Sequence, residues 1–469
     1  MRARATTPSR LLSRLRPLAA LAALATLAAC SASPSEDAAN QDDSALSSGP
    51  PNESIGQFFM IEHFGVVADG YSDVHDMIKK KNLGAVILWN PTQESGTTAG
   101  QMVTHYAATA AQAHRPELFV AADQEERGTQ RFKSRNGFTD LVDAAALGRA
   151  VTKHGDAKVC ELHARITSRE MAAAGLNMTL GTVSDIYTRD SGTPGMFRTR
   201  SIGPDSDVVA SCIRAMTKAY GSERHVVFIT KHFPGLGNAT GNTDVDPSVH
   251  TRSDTKDKME HELAPYRAAT ASVNEDGSSM YFGAMVSHAS YKILDSSDSP
   301  ATLSPVILEQ LLRGSPTTEL PLGGVDATRQ AVTFKGMDLK GLTVSDAFWT
   351  WGAMRGLSPI EKRRLMARSF LAGMDILMIA KADFGGAWDY FQAIDANQLP
   401  AEEQSALVSA AHEQDWTSLH AKFKARVAES AARIKASKSA VGPAASFMKQ
   451  GLPSAASADL VADYRRLTE

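Results

Sequence analysis

The stretch HVVFITKHFPGLGNATGNTD, His225 to Asp244, holds the main clue to the architecture. It opens as an unbroken apolar run, ends that run on the basic pair Lys231–His232, and then breaks into glycine, proline and small polar residues. An apolar run with no polar alternation suits a strand buried on both faces, as in a parallel sheet. The Gly and Pro punctuation makes the rest of the stretch a constrained loop and neither helix nor central strand. A loop of that kind carrying Lys, His and a carboxylate raises a chemical question: what do they act on?

On either side of it the same pattern recurs seven more times. The other runs are IGQFFMIEH, LGAVILWN, LFVAADQE, LNMTLGTVSD, FGAMVSH, GLTVSD and MDILMIAK. Between them lie helix-like stretches that end at Gly, such as AKVCELHARITSREMAAAG and DVVASCIRAMTKAYG. Eight strand–helix units predict a closed (β/α)8 TIM-like barrel with C-terminal helices over residues 401 to about 440; the alternative arrangement is a doubly wound open sheet. In a barrel the chemistry gathers where strands end. The ends here carry Asp123, Asp185, Lys231, His232, His288 and Asp346. Residues 313–340 read as a long polar loop before the seventh run.

The 469 residues are 43% hydrophobic and 22% charged, enough for a large core, and the net charge of −3 argues against a nucleic-acid partner. Five arginines between Arg2 and Arg16 precede PLAALAALATLAA, which is too short to span a bilayer and reads as an export signal. It ends in LAAC, Leu27 to Cys30, which resembles the lipobox of bacterial lipoproteins. The expected organisation is a signal peptide over 1–29, lipidation at Cys30, a Ser-, Asp- and Pro-rich tether over 30–53, a barrel over 54–440 and a tail over 441–469. The protein is then expected at the cell envelope, held to a membrane by lipid. Cys160 and Cys212 are the other two cysteines, and their spacing leaves a disulfide and two buried thiols equally open.

The ordered motifs IGQFFM, GAVILW, ADQEERGTQRF, RSIGPD, KHFPGLG, MVSHASY, GLTVSDA and LAGMDILM resemble glycoside hydrolase family 3, in its single-barrel β-N-acetylhexosaminidase type, over residues 54 to 440. The resemblance implies a retaining exo-glycosidase on terminal β-linked sugars, most of all N-acetylglucosamine, with peptidoglycan fragments as one source. It implies Asp346 of GLTVSDA as nucleophile. It implies Asp123, Arg131, Arg200, Lys231 and His232 as substrate-binding residues.

Three departures bear on the mechanism. Leu236 stands where the family motif has histidine, and QEERGTQR replaces a glycine pair with Glu126 and Arg127. The family's donor loop ends in an Asp-Ser-His triplet, and thirteen positions beyond Lys231 this chain has Asp244. One reading makes Asp244 the acid, its pKa raised by burial or by a neighbouring carboxylate. A second makes His250 the donor across a longer loop, with Asp246 orienting it. A third has the donor lost, which leaves a non-catalytic glycan-binding lipoprotein; β-glucosidase or β-xylosidase specificity is a further alternative. Glu125 and Glu126, beside Arg127 and Arg131, read as a solvated salt-bridged loop. His288 reads as a packed mouth residue, and Asp375 and Asp185 as groups that satisfy buried backbone or cations. No cofactor is implied, and the histidines form no metal-ligand spacing.

Overall fold

A computed structural model describes residues 51–63, 72–89, 96–187, 197–442, 448 and 456–469. Cys30, the signal segment and nearly all of the tether lie outside the described residues. The strands in chain order are β1 (Phe59–His63), β2 (Ala85–Leu88), β3 (Phe119–Ala122), β4 (Met178–Val183), β5 (Val227–Phe233), β6 (Phe282–Val286), β7 (Glu319–Val325), β8 (Ala331–Lys335), β9 (Leu342–Ser345) and β10 (Leu377–Ile379). Eight of them coincide with the eight apolar runs, and every residue of those eight is buried. They form one parallel sheet in the order β10-β1-β2-β3-β4-β5-β6-β9. A bridge between Val344 and Ile376 joins its two ends. This is the (β/α)8 barrel that the runs predict.

The helices wrap it in the same sequence order: α1 (Ser72–Lys81), α2 (Gly96–Gln112), α3 (Ala144–His154), α4 (Lys158–Ala173), α5 (Ser206–Glu223), α6 (Lys256–Asp276), α7 (Pro359–Ala372), α8 (Phe384–Asp395), α9 (Ala401–Ala411), α10 (Trp416–Val441) and α11 (Ala458–Thr468). Local sequence explains several starts. Ser358 and Glu361 close a reciprocal capping box around Pro359, the first residue of α7, and Asp205 accepts two backbone N–H groups at the start of α5. The sixth unit is irregular, with a 3-10 turn, Ala301–Leu303, and a short π-helical segment, Val306–Leu312, in place of an α-helix after β6.

Three sequence readings change. The expected polar loop before the seventh run contains the antiparallel hairpin β7–β8, whose mostly exposed side chains hide its strand character. Helix α5 runs past Gly221 to Glu223, because Arg224 takes the left-handed cap and Gly221 admits the Ser278 side chain. Part of the expected tail is helix α11, which packs on α4 and α3 and buries Tyr464; the Tyr464 hydroxyl accepts from the Val142 N–H. Cys160 of α4 and Cys212 of α5 are disulfide-bonded and fully buried, which decides the open question of their pairing. Among the described residues no helix is long and apolar enough to cross a membrane.

At the end of the barrel where the strands begin, Asp375 lies just ahead of β10 and is fully buried. Its carboxylate accepts from Arg313 at 2.6 Å, Arg433 at 2.9 Å, Ser430 at 2.8 Å and the Thr343 N–H at 3.0 Å. Burial opposes its charge, but the arginines prevail and hold the pKa at about 2. This fits its reading as a partner of buried cations. The cluster ties α10 to the base of the barrel.

Candidate active site

The opposite end is organised by the segment that ends β5. Lys231 and His232 are both buried, and the Lys231–His232 and Phe233–Pro234 peptide bonds are cis. Lys231 donates to Asp123 at 2.7 Å and to the Leu180 carbonyl at 2.6 Å, and pairs with Glu125 at 2.7 Å. An ammonium has three protons to give, and these acceptors take all three. In this geometry Lys231 therefore orients Asp123 and Glu125. Burial disfavours its charge, but Asp123 and Glu125 more than offset this and raise its pKa.

Glu125 corrects the sequence reading of that loop. It is 1% exposed and is held by Arg200 through two parallel hydrogen bonds of 2.8 Å each, as well as by Lys231. Burial pushes its pKa up, yet Lys231 and Arg200 overcome this and leave it well below the carboxylate range. Glu126, also 1% exposed, points into the interior 3.8 Å from His163; burial and the Glu125 charge raise its pKa to about 7. Neither is a solvated surface acid. The physical reason is that β3 ends only at Ala122, so the next residues turn into the barrel mouth before the chain reaches solvent. Only Arg127, paired with Asp140, behaves as the surface reading expects. Arg131 reaches Asp123 at 3.7 Å and lies over the Trp89 ring at 4.5 Å, and Trp89 meets Trp349 edge to face at 6.0 Å.

His232 is fixed by Asp185, whose carboxylate sits 2.7 Å from Nδ1 and also accepts from the backbone N–H groups of His232 and Leu236. The same carboxylate thus sets the imidazole and the loop behind it. Leu236, where the family motif has histidine, is buried.

Asp346 follows β9 and accepts from the Ala347 N–H at 2.8 Å. Burial raises its pKa, but His232, His288, the Ala347 N–H and Lys231 outweigh it, and the net shift is downward. His288 is buried, bonded to Thr302 at 2.8 Å and stacked on Trp351 at 4.1 Å. Burial depresses its pKa to about 4. It is a packed mouth residue, as expected, and it borders Asp346.

The loop after Gly237 packs on the segment after Asp346. The Gly352 N–H donates to the Thr243 carbonyl at 2.9 Å, and Arg355 donates to the Asp244 carbonyl at 2.9 Å. Gly352 permits the approach, since a Cβ there would lie 2.5 Å from the Asp246 backbone. The Asp244 side chain bonds Thr350, and burial, followed by the Asp346 charge, raises its pKa. His250 goes elsewhere. It pairs with Asp298 at 3.2 Å and meets Ser248 at 3.2 Å, and it is joined by a β-bridge to Ser290. Asp246 does not orient it; that carboxylate accepts from the Asn242 N–H at 2.8 Å and closes the turn.

Residues 52–409 match the model of the glycosyl hydrolase family 3 N terminal domain. The chain belongs to glycosyl hydrolase family 3. Within the family it is 30% identical over 213 residues to a beta-hexosaminidase of Stenotrophomonas maltophilia strain K279a, covering 44% of this chain and 57% of that protein. It is 29% identical over 236 residues to a beta-hexosaminidase of Nitrosomonas eutropha, covering 49% and 61%. The chain thus spans about three-fifths of the length of these relatives. The family 3 fold recurs in a beta-N-acetylglucosaminidase from Paenibacillus sp. FPU-7, with TM-score 0.67, 20% identity and coverage of 88% of this chain and 67% of that one. It recurs also in a beta-N-acetylhexosaminidase from Beutenbergia cavernae, with TM-score 0.61, 23% identity and coverage of 82% and 98%.

Proposed function

We propose that this family 3 protein is a retaining glycoside hydrolase that removes terminal β-linked N-acetylhexosamine, with Asp346 as nucleophile and Asp244 as acid/base. One observation carries the reading. Two carboxyl groups sit on loops packed directly against each other, and their surroundings drive them apart: Asp346 toward the anion, Asp244 toward the acid. Opposed pKa values in a pair of carboxyls mark a division between nucleophile and proton donor. The beta-hexosaminidase relatives support the sugar class.

In the first step an Asp346 oxygen attacks the anomeric carbon while the bond to the leaving oxygen breaks. Asp244 gives that oxygen its proton. In the second step Asp244 takes a proton from water, the water oxygen attacks the anomeric carbon, and Asp346 leaves as carboxylate. Such a mechanism places the two carboxyls about 5–5.5 Å apart. Asp123, Arg131, Arg200 and His232 supply acceptors and donors for sugar hydroxyls, with Lys231 and Glu125 holding the set rigid. On this reading His250 takes no part; its ring lies 3.2 Å from both Asp298 and Ser248.

A panel of aryl β-glycosides tests the proposal. Turnover of the N-acetylglucosaminide above the glucoside and xyloside is expected. Preference for glucose or xylose would move the specificity, and binding without turnover would leave a glycan-binding protein.

We also propose that the chain is anchored by lipid at Cys30, on the support of the basic start, the apolar run and LAAC. Stable anchoring takes two or more acyl chains. Cys30→Ser should release protein from the membrane fraction or leave an uncleaved precursor. Wild-type protein found soluble with a free thiol at Cys30 would contradict this.

A further inference from the structure

Helix α6 carries a buried acid that the mechanism above does not use. Glu262 is 1% exposed. Its Oε1 accepts from the Asn238 side chain at 2.5 Å and from Ser253 Oγ at 3.5 Å. The backbone N–H of Ile186 also lies against the carboxyl group. Asn238 belongs to the loop behind Lys231–His232, and Ile186 directly follows Asp185. The carboxyl therefore sits where the two segments that hold the Asp185–His232 pair come together. The backbone is built around it: Gly235, at φ +142°, has no room for a Cβ, which would fall 2.5 Å from Glu262 Oε2. The Gly235 carbonyl is in turn held by the Tyr291 hydroxyl at 2.8 Å.

We infer that Glu262 is a positioning residue for the proposed hydrolysis: it pins the loops after β4 and β5 together, and so fixes His232 beside Asp346. The inference rests on the hydrolase reading above.

The titratable groups facing the carboxyl are Asp185 from the β4 loop, Tyr266 from its own helix and Tyr291 from the loop after β6. None of these carries a positive charge. Burial, followed by the Asp185 charge, raises the Glu262 pKa to about 8. Ionisation would set a second carboxylate against Asp185, the group that accepts from Leu236 N–H at 2.6 Å and holds the His232 ring. The expected result is loosening of the loops that carry His232, and loss of its support for Asp346.

Glu262→Gln, which keeps the shape and cannot ionise, is the informative variant. With an activated aryl N-acetylglucosaminide, donor protonation matters little, and kcat/KM reports the free enzyme. The wild-type value should fall as pH rises through about 8, whereas Glu262→Gln should hold its value across that range. At pH 6 Glu262→Gln should lie within about threefold of wild type, while Glu262→Ala loses about tenfold or more, mostly in kcat. Coincident alkaline limbs for wild type and Glu262→Gln would overturn the inference, as would an unimpaired Glu262→Ala.

A second readout needs no turnover. The folded state binds the extra proton between the unfolded carboxyl pKa near 4.5 and the folded value near 8. Wild-type stability must therefore fall with pH in that window relative to Glu262→Gln. The Tm advantage of Glu262→Gln should grow from pH 5 to pH 8 and then level off. A difference that stays constant with pH would overturn the inference even if the protein proved to hydrolyse nothing; failure of the aryl panel alone would overturn the hydrolase reading instead.

Discussion

Asp346 and Asp375 sit at opposite ends of neighbouring strands, Asp346 just after β9 and Asp375 just before β10. Both have depressed pKa values, and both do so against the cost of burial. The means differ. Asp375 is fully buried and saturated by hydrogen bonds from arginines, Ser430 and Thr343. Asp346 is partly exposed and accepts one backbone N–H, with histidines and Lys231 supplying field more than bonds. A carboxylate whose lone pairs are filled is a structural clamp. One kept ionised with lone pairs to spare is available to a substrate. Barrel architecture makes the same division, with stability at the end where strands begin and chemistry where they finish.

The contrast is challenged most severely at the mouth. Asp346→Ala should lower kcat by about 10⁴-fold or more, even on activated aryl glycosides, and leave the Tm close to wild type. Steady-state kinetics with thermal melts on one preparation checks both halves; a large fall in Tm would make Asp346 a clamp like Asp375.

Asp244→Ala should come next. Loss of a proton donor costs about 10²–10⁴-fold on sugars with poor leaving groups, and should spare glycosides of acidic phenols. His250→Ala should change either substrate little. A reversed pattern in the leaving-group dependence would restore the longer-loop donor.

Asp375→Ala probes the base. It strands Arg313 and part of Arg426 and Arg433 without their shared anion. Breaking such a buried pair costs about 3–5 kcal/mol, measured by denaturant unfolding, while kcat of the folded fraction stays near wild type. The folded pKa of about 2 lies below the ordinary aspartate value of 3.8, so this stabilisation is complete above about pH 4 and is lost as pH falls toward 2.

The disulfide, which joins helices α4 and α5, should matter least. It closes a span of 52 residues, for which chain entropy gives about 4 kcal/mol at most and often less. The Cys160→Ser, Cys212→Ser double variant should melt lower than wild type with kcat unchanged.

The barrel is legible in the sequence strand by strand. All eight barrel strands show as apolar runs, because strands buried on both faces carry no polar alternation and their short length and polar ends set them apart from helices. Asp123, Lys231, His232 and Asp346 converge as their strand-end positions imply. The misreadings share a cause. Glu125 and Glu126 resemble surface acids because a charge run carries no sign of burial, although the run LFVAADQE already places Glu125 at a strand end. The β7–β8 hairpin escapes detection because exposed strands lack an apolar face. Which of Asp244 and His250 gives the proton depends on loop path, which spacing does not encode, and neither does it reveal that Asn238 and Ile186 meet on Glu262.

Covalent trapping puts the division between mouth and base to its sharpest trial. The protein is incubated with a slow fluorinated glycosyl donor, digested, and the labelled peptide is read by mass spectrometry. One glycosyl adduct, on Asp346, is expected. An adduct on Asp244 or on any other carboxylate, or inactivation that leaves no glycosyl-protein bond, would contradict the assignment of Asp346 as nucleophile.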